Sequence, residues 1–254
     1  MPDASSADHD SARAGQDAPA EPPAHAAFEL AARRRLAMVL CGYIPFLHAA
    51  AVIALVVLPT TRLLPSIAAA LAPAVLFLVP PLVVRGTLRV RPTGAGRFPL
   101  ASRAFLTWWF CAQWQVVFNR LPFLEECLRL VPALYSAWLR LWGAKVGALV
   151  YWSPGVGISD RQFVEVGRRV VLGMGARLHA HMITRGEGEG GGAPTELLLA
   201  PVQIGDDTLV GGMSLLTPGV RVAPGEVTPG VYALPPFSEW RGGKRVRHRP
   251  ETLS

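Results

Sequence analysis

The distribution of apolar residues divides the chain into stretches of different character. Residues 1–32 are rich in Ala, Asp, Ser and Pro and carry almost no large apolar side chain before Phe28. Such a segment buries too little surface to offset its ordering entropy, so disorder is expected there. Leu36–Leu58 and Leu63–Val84 follow, both without a formally charged side chain and separated only by Pro59-Thr60-Thr61-Arg62. Each reaches the roughly 20 apolar residues needed to cross a hydrocarbon core, which predicts a transmembrane helical hairpin over 33–85. Pro45, Pro65, Pro73, Pro80 and Pro81 keep a buried soluble hairpin or a re-entrant loop as the alternative. Over 100–142, in and just beyond the segment 86–140, Trp108, Trp109, Trp114, Trp138 and Trp142 alternate with Arg103, Arg120, Arg129 and Arg140, interrupted by Pro122 and Pro132. This composition suits juxtamembrane amphipathic helices, lying at the membrane surface or packed on the next domain.

From Val146 the pattern changes to a beat of six. Val146, Trp152 and Ile158 are followed, after a two-residue slip, by Val166, Leu172 and Leu178, then by Ile204, Val210, Leu216 and Val222. A second, smaller position lies four residues after most of these: Val150, Val156, Val170, Ala176, Thr208, Ser214 and Val220. Neither the helical period of about 3.6 nor the strand period of about two explains this spacing. Two inward positions per six residues describe a short strand and a tight turn, and three such units close one triangular coil of a parallel β-helix. Glycine beside the aliphatics suits a backbone that must bend or approach closely. The expected fold is therefore mainly β, a β-helix over 141–236 behind a helical membrane hairpin, with a basic tail at 237–254.

Charge orients this arrangement. The chain has a net charge of +7 and is 51% hydrophobic. Arg33, Arg34 and Arg35 precede the first apolar run and Arg85, Arg89, Arg91 and Arg97 follow the second, whereas the connecting turn has only Arg62. The positive-inside rule then puts both ends in the cytoplasm, a multi-pass inner (cytoplasmic) membrane location with the β-helix facing the cytosol. The isolated thiols Cys41, Cys111 and Cys127 agree with a reducing compartment. Arg241, Lys244, Arg245 and Arg247 in the tail suit anionic lipid or a polyanionic ligand, while no motif points to nucleic acid.

The stretches LGMGARLHAHMITRG and VQIGDDTLVGGMSLLTPGVRV lie in a region, about residues 140 to 235, that resembles the hexapeptide-repeat acyltransferases. The membrane-associated type is nearest: polylysine-synthetase C-terminal regions and colanic-acid-type acetyltransferases. The resemblance implies a left-handed parallel β-helix, a homotrimer with sites between subunits, and acyl transfer from acetyl-CoA or another acyl-CoA to a hydroxyl or amine. It places the catalytic histidine at His181. Family members often carry an asparagine near that histidine, whereas the only asparagine here is Asn119, far upstream.

A histidine of ordinary pKa about 6.5 can take the acceptor's proton as general base. His181 is the first choice and His179 the second, because residues two apart on a strand face the same side. Asp160, Glu165, Glu187 and Glu196 are candidate carboxylates to orient it. Backbone N–H groups at Gly211 and Gly212 are candidate oxyanion donors, and Lys145, Arg168 and Arg169 are candidate contacts for coenzyme A. The acceptor would be a saccharide, a lipid-linked molecule or a peptide-type metabolite. The glycine-dense insertion Thr184–Ala200 is expected to be a mobile loop, either a lid or a plain surface loop. His179 and His181 are the only histidines within the repeats, fewer than the three or four ligands zinc takes, so no metal is expected. The alternative reading is a non-catalytic β-helix scaffold of a membrane complex.

Overall fold

A computed structural model describes residues 32–57, 65–131, 133–185 and 195–247 of the chain. The expected disordered tail up to residue 31, the turn with Arg62, the glycine-dense stretch 186–194 with Glu187, and residues 248–254 lie outside the described residues.

The first apolar run is two helices, α1 (Ala32–Gly42) and α2 (Ile44–Val57), broken at Tyr43; the second is one helix, α3 (Pro65–Val90). Pro45 and Pro65 sit in first turns, where a missing N–H costs nothing. Pro73, Pro80 and Pro81 lie inside α3. Pro81 has no N–H to give the Phe77 carbonyl, and the indole of Trp138 donates to that oxygen instead, at 2.7 Å. The segments Ala32–Val57 and Ala70–Val90 are long and apolar enough to cross a membrane by length and composition. The first is 6% and the second 22% buried over its most apolar window.

A short strand, β1 (Gly96–Pro99), leads into a collar of four helices: α4 (Arg103–Gln113), α5 (Val116–Arg120), α6 (Phe123–Arg129) and α7 (Leu134–Trp142). Ser102 caps α4, its Oγ accepting from Phe105 N at 3.0 Å. Gly143, at φ 107, ends α7 in the left-handed conformation favoured at that position. Three of the five tryptophans over 100–142 pack inward. Trp108, Trp138 and Trp142 are buried, and Tyr135, Leu139 and Trp142 share one core with Val146, Trp152 and Ile158 of the first coil. Helix α7 thus closes the N-terminal end of the solenoid, which would otherwise expose its apolar column.

The solenoid follows the beat of six. Its first coil is β2 (Lys145–Val146), β3 (Tyr151–Trp152) and β4 (Gly157–Ile158); its second is β5 (Val164–Val166), β6 (Val171–Leu172) and β7 (Arg177–Leu178). A hairpin, β8 (His181–Arg185) and β9 (Thr195–Leu199), leaves the stack there. The third coil is β10 (Val202–Ile204), β11 (Leu209–Val210) and β12 (Leu215–Leu216). The fourth keeps β13 (Arg221–Val222) and β14 (Ala233–Leu234), with a single bridge from Leu209 to Val227 between them. Equivalent strands pair in parallel and in register: Val146, Val166, Ile204 and Val222 on one side, Ile158, Leu178, Leu216 and Leu234 on another. The smaller inward residues Val170, Ala176, Thr208, Ser214 and Val220 are also buried. Glycine follows the aliphatic because coils touch there: a Cβ on Gly173 would lie 2.4 Å from Gly212 N. The two-residue slip is a single 3-10 turn, Arg161–Phe163, inserted between the first and second coils.

Two expectations need correction. The insertion is not a loop throughout: β9 pairs antiparallel with β8 on one side and β1 on the other. Leu197 and Leu199 are buried in a core with Leu100, Phe105 and Trp108, which gives that hairpin an apolar anchor. The segment expected as a basic tail from 237 folds, through Arg247, into the hairpin β15 (Ser238–Arg241) and β16 (Lys244–Arg247). β15 continues the first sheet beyond β13, and Trp240 covers the column with its indole donating to Val227 O at 3.0 Å. Gly242 and Gly243, both at positive φ, make its two-residue turn. Ser238 and Trp240 face inward at period two, a pattern hidden in sequence by the intervening charges.

Interior and surface positions of one strand should differ sharply. Leu172→Ala removes a fully buried side chain and should cost about 2–5 kcal/mol. Val171→Ala, on the outward side at 38% exposure, should stay within about 0.5 kcal/mol. Thermal unfolding of both variants in detergent checks the contrast.

Candidate functional site

Asp160 and His181 lie on the same edge of the prism in successive coils. Ile158 and Leu178 are register partners at the ends of β4 and β7. Beyond Ile158 the chain enters the 3-10 turn; beyond Leu178 it leaves the stack as β8. The edge therefore brings the first carboxylate after one strand to the second histidine after the next. Asp160 Oδ2 lies 2.5 Å from His181 Nδ1 and accepts from Ser159 Oγ at 2.6 Å. Its other oxygen accepts from Trp108 Nε1 at 2.9 Å. The Trp108 ring packs 4.7 Å from the imidazole, inclined at 58°.

Asp160 is 1% exposed, so its charge survives only through these bonds. Burial pushes its pKa up; the His181 hydrogen bond and charge, with Ser159 and Trp108, outweigh that and hold it below the ordinary carboxylate value. For His181, burial pushes the pKa down, and the hydrogen bond and charge of Asp160 outweigh it to leave the imidazole above its ordinary value. With Nδ1–H donated to the carboxylate, Nε2 carries the lone pair and is the atom able to accept a proton.

The next residue, Arg161, turns to the other side of the same 3-10 turn and is also 1% exposed. Its Nε donates to Glu125 Oε1 at 2.7 Å, and a second, shorter contact joins Nη2 to the same oxygen. Gln115 Oε1 accepts from both its backbone N and Nη1, and Asn119 Oδ1 from Nη2 at 3.0 Å. Phe118, Trp138 and Trp142 surround the guanidinium at 5.6–5.7 Å from their ring centres. Glu125 also accepts from Tyr135 Oη at 2.7 Å and Arg129 Nη2 at 3.1 Å, and Arg129 donates on to Val156 O in the first coil. Sequence reasoning missed Trp108, Gln115, Glu125 and Arg161. The slip in the beat marks the place of Arg161, but nothing in the sequence pairs it with residues some 40 positions upstream.

The other expected residues lie elsewhere. Glu165 accepts from Lys145 at 2.7 Å and Gln203 at 2.9 Å on the outward side of the first sheet, and does not face His181. Glu196 lies in β9, 4.0 Å from Arg97. Arg168 pairs with Asp206 and Arg169 with Asp207 in a surface ladder at the corner between the first and second sheets. Gly211 N–H already donates to Thr228 Oγ1 at 2.9 Å, and Gly211 and Gly212 mark the corner between the second and third sheets, away from His181. His179 is half-buried, and its pKa is lowered by burial and by the nearby His181 charge. It lines a cleft of about 670 Å³ between the third sheet and helices α5 and α6. Among the described residues no three His, Cys, Asp or Glu side chains come together as a metal site.

No family model and no curated protein matches the sequence. Solved structures offer distant likenesses. A hexapeptide-repeat acetyltransferase from Vibrio cholerae O1 biovar eltor, complexed with acetyl coenzyme A, is 17% identical over 48% of this chain and 82% of its own, with a TM-score of 0.30. A maltose O-acetyltransferase from Clostridium difficile 630 is 13% identical over 66% of this chain and 97% of its own, with a TM-score of 0.32. A serine acetyltransferase from Neisseria gonorrhoeae is 16% identical over 85% of this chain and 80% of its own, with a TM-score of 0.27. Likeness at this level adds no weight to the geometry above.

The buried ion pair makes a direct prediction. Arg161→Leu strands Glu125 and should destabilise the protein by about 3–5 kcal/mol. The double variant Arg161→Leu/Glu125→Leu should recover part of that loss, because no charge is left unpaired. Unfolding midpoints of the two variants decide it.

Proposed function

We propose that the chain is a membrane-anchored acyl-CoA-dependent O- or N-acyltransferase in which His181 is the general base and Asp160 orients it. The observation that carries this reading is the buried Asp160 carboxylate held on His181 Nδ1. The hexapeptide pattern supports an acyl-CoA donor, with acetyl-CoA the simplest, and a left-handed coil. The acceptor hydroxyl or amine gives its proton to His181 Nε2 as its oxygen or nitrogen attacks the thioester carbonyl. The imidazolium so formed is stabilised by Asp160. When the tetrahedral intermediate collapses, the carbon–sulfur bond breaks and the proton passes from Nε2 to the leaving thiolate of coenzyme A.

The wider setting follows from exposed surfaces. Leu36, Leu40, Phe46, Leu47, Ile53 and Val57 of α1 and α2 are exposed, as a lipid-facing surface requires. With the arginines flanking both runs, this supports an inner-membrane hairpin and a cytosolic solenoid. The second sheet carries an exposed apolar ladder, Tyr151, Val171, Leu209 and Val227, edged by Met174, Met213 and Val231. Apolar patches of this kind mark interaction sites, which supports self-association into a homotrimer. Substrates are then the acyl-CoA and a small-molecule or lipid-linked acceptor.

Thiol release from acetyl-CoA, measured with the detergent-solubilised full chain against saccharide, lipid-linked and amine acceptors, tests the reading. His181→Ala should lower acceptor-dependent release about 10²–10⁴-fold while acetyl-CoA still binds. Wild-type rates in that variant would sink His181 as the base.

A further inference from the structure

The cleft beside His179 carries a charge that the His181–Asp160 pair does not use. Ser159 lines it and donates to Asp160 Oδ2, the oxygen that also meets His181 Nδ1, so two hydrogen bonds through one carboxylate oxygen separate the cleft from the proposed base. Arg161 and Glu125 line it too, bonded to one another. Glu125, the only carboxylate among its lining residues, is already taken by Arg161, Arg129 and Tyr135. Two more guanidiniums line it: Arg120, in the last turn of α5, and Arg177, from β7. Arg177 lies across Gly157 of the coil before it, its Nη1 3.7 Å from where a Cβ would stand. Three guanidiniums therefore face one carboxylate.

Along the first sheet and its corner, Lys145 is matched by Glu165, Arg168 by Asp206 and Arg169 by Asp207. Arg120 and Arg177 show no carboxylate partner among the described residues, and both are exposed at the cleft. Asn119 uses Oδ1 on Arg161, which leaves its amide N–H groups as donors. A cavity of this volume is in the range of small-molecule sites. Forked guanidiniums with an amide donor match the geometry of phosphate oxygens.

We propose that this cleft is an anion site that holds the phosphate or pyrophosphate of a phosphorylated acceptor, with the acceptor's nucleophile presented to His181. The proposal rests on the acyltransferase reading for the word acceptor, and on the cleft alone for the anion. Its position agrees with a membrane-linked acceptor: Phe118 of the cleft wall packs on Phe77 of α3, a helix apolar enough to cross a membrane.

Binding to the detergent-solubilised full chain tests it, with inorganic pyrophosphate as probe and acetyl-CoA measured in parallel. Pyrophosphate should bind the wild type and bind Arg120→Gln and Arg177→Gln about tenfold more weakly each, the loss of one charge-assisted bond. Acetyl-CoA affinity should not change in either variant. Pyrophosphate affinity equal in wild type and both variants overturns the site. Parallel loss of acetyl-CoA affinity assigns the cleft to the donor's phosphates and overturns the acceptor role. If pyrophosphate responds to the substitutions but the wild type never binds acetyl-CoA, the anion site stands and the acyltransferase reading falls, so the two failures are told apart.

Discussion

A guanidinium can be buried only where its charge and each of its nitrogens are answered. Arg161 meets that condition with groups from four separate pieces of chain. Gln115 precedes α5, Asn119 lies within it, Glu125 is in α6, and the aromatic rings of Phe118, Trp138 and Trp142 come from α5 and α7. Removing any of these leaves a buried charge partly unpaired, so collar and solenoid form one cooperative body. Arg161 sits in the 3-10 turn that opens with Asp160 as its cap, so what locks the collar also fixes the carboxylate on His181. Trp108 completes the arrangement from α4, giving its N–H to Asp160 and its ring to the imidazole.

The same economy governs the ends of the solenoid. A stack of open coils would present its aliphatic column to water, and here α7 covers one end and the β15–β16 hairpin the other. The first cap is tied to the membrane-type helix α3 by a defect in that helix: Pro81 frees the Phe77 carbonyl and Trp138 takes it. A proline that reads as a helix breaker in sequence is thus a docking point. The proposed base is held by groups that also join the anchor, the collar and the coils.

Much of the solenoid was legible because its constraint is local. Strand, turn and inward position repeat every six residues, so Val166, Leu172 and Leu178 identify one coil, and their recurrence at Ile204, Val210 and Leu216 identifies the next. The collar was not legible in this way. Trp108 and Glu125 reach the site across 52 and 36 residues, and helical periodicity records that a face is buried, not what it is buried against. His181 and Asp160 were both visible as candidates, but Glu165 was equally eligible until its register beside Lys145 and Gln203 was known. The hairpins β8–β9 and β15–β16 were hidden for different reasons: the buried run Leu197–Leu199 is not alternating and follows a glycine-dense stretch that reads as loop, and in β15 charged residues mask a period-two pattern whose inward members are only Ser238 and Trp240.

A base at His181 depends on Asp160 to set its basicity. Burial alone would lower the imidazole's pKa; the carboxylate raises it past the ordinary value of about 6.5. A group raised in this way stays protonated to higher pH, so a base at His181 becomes available only as pH climbs through that raised value. The most direct measurement is an NMR titration of the His181 imidazole in the wild type and in Asp160→Asn. The wild-type midpoint should lie above about 6.5 and fall when the carboxylate is removed. A midpoint unmoved by Asp160→Asn would rule out Asp160 as the group that sets the basicity of His181.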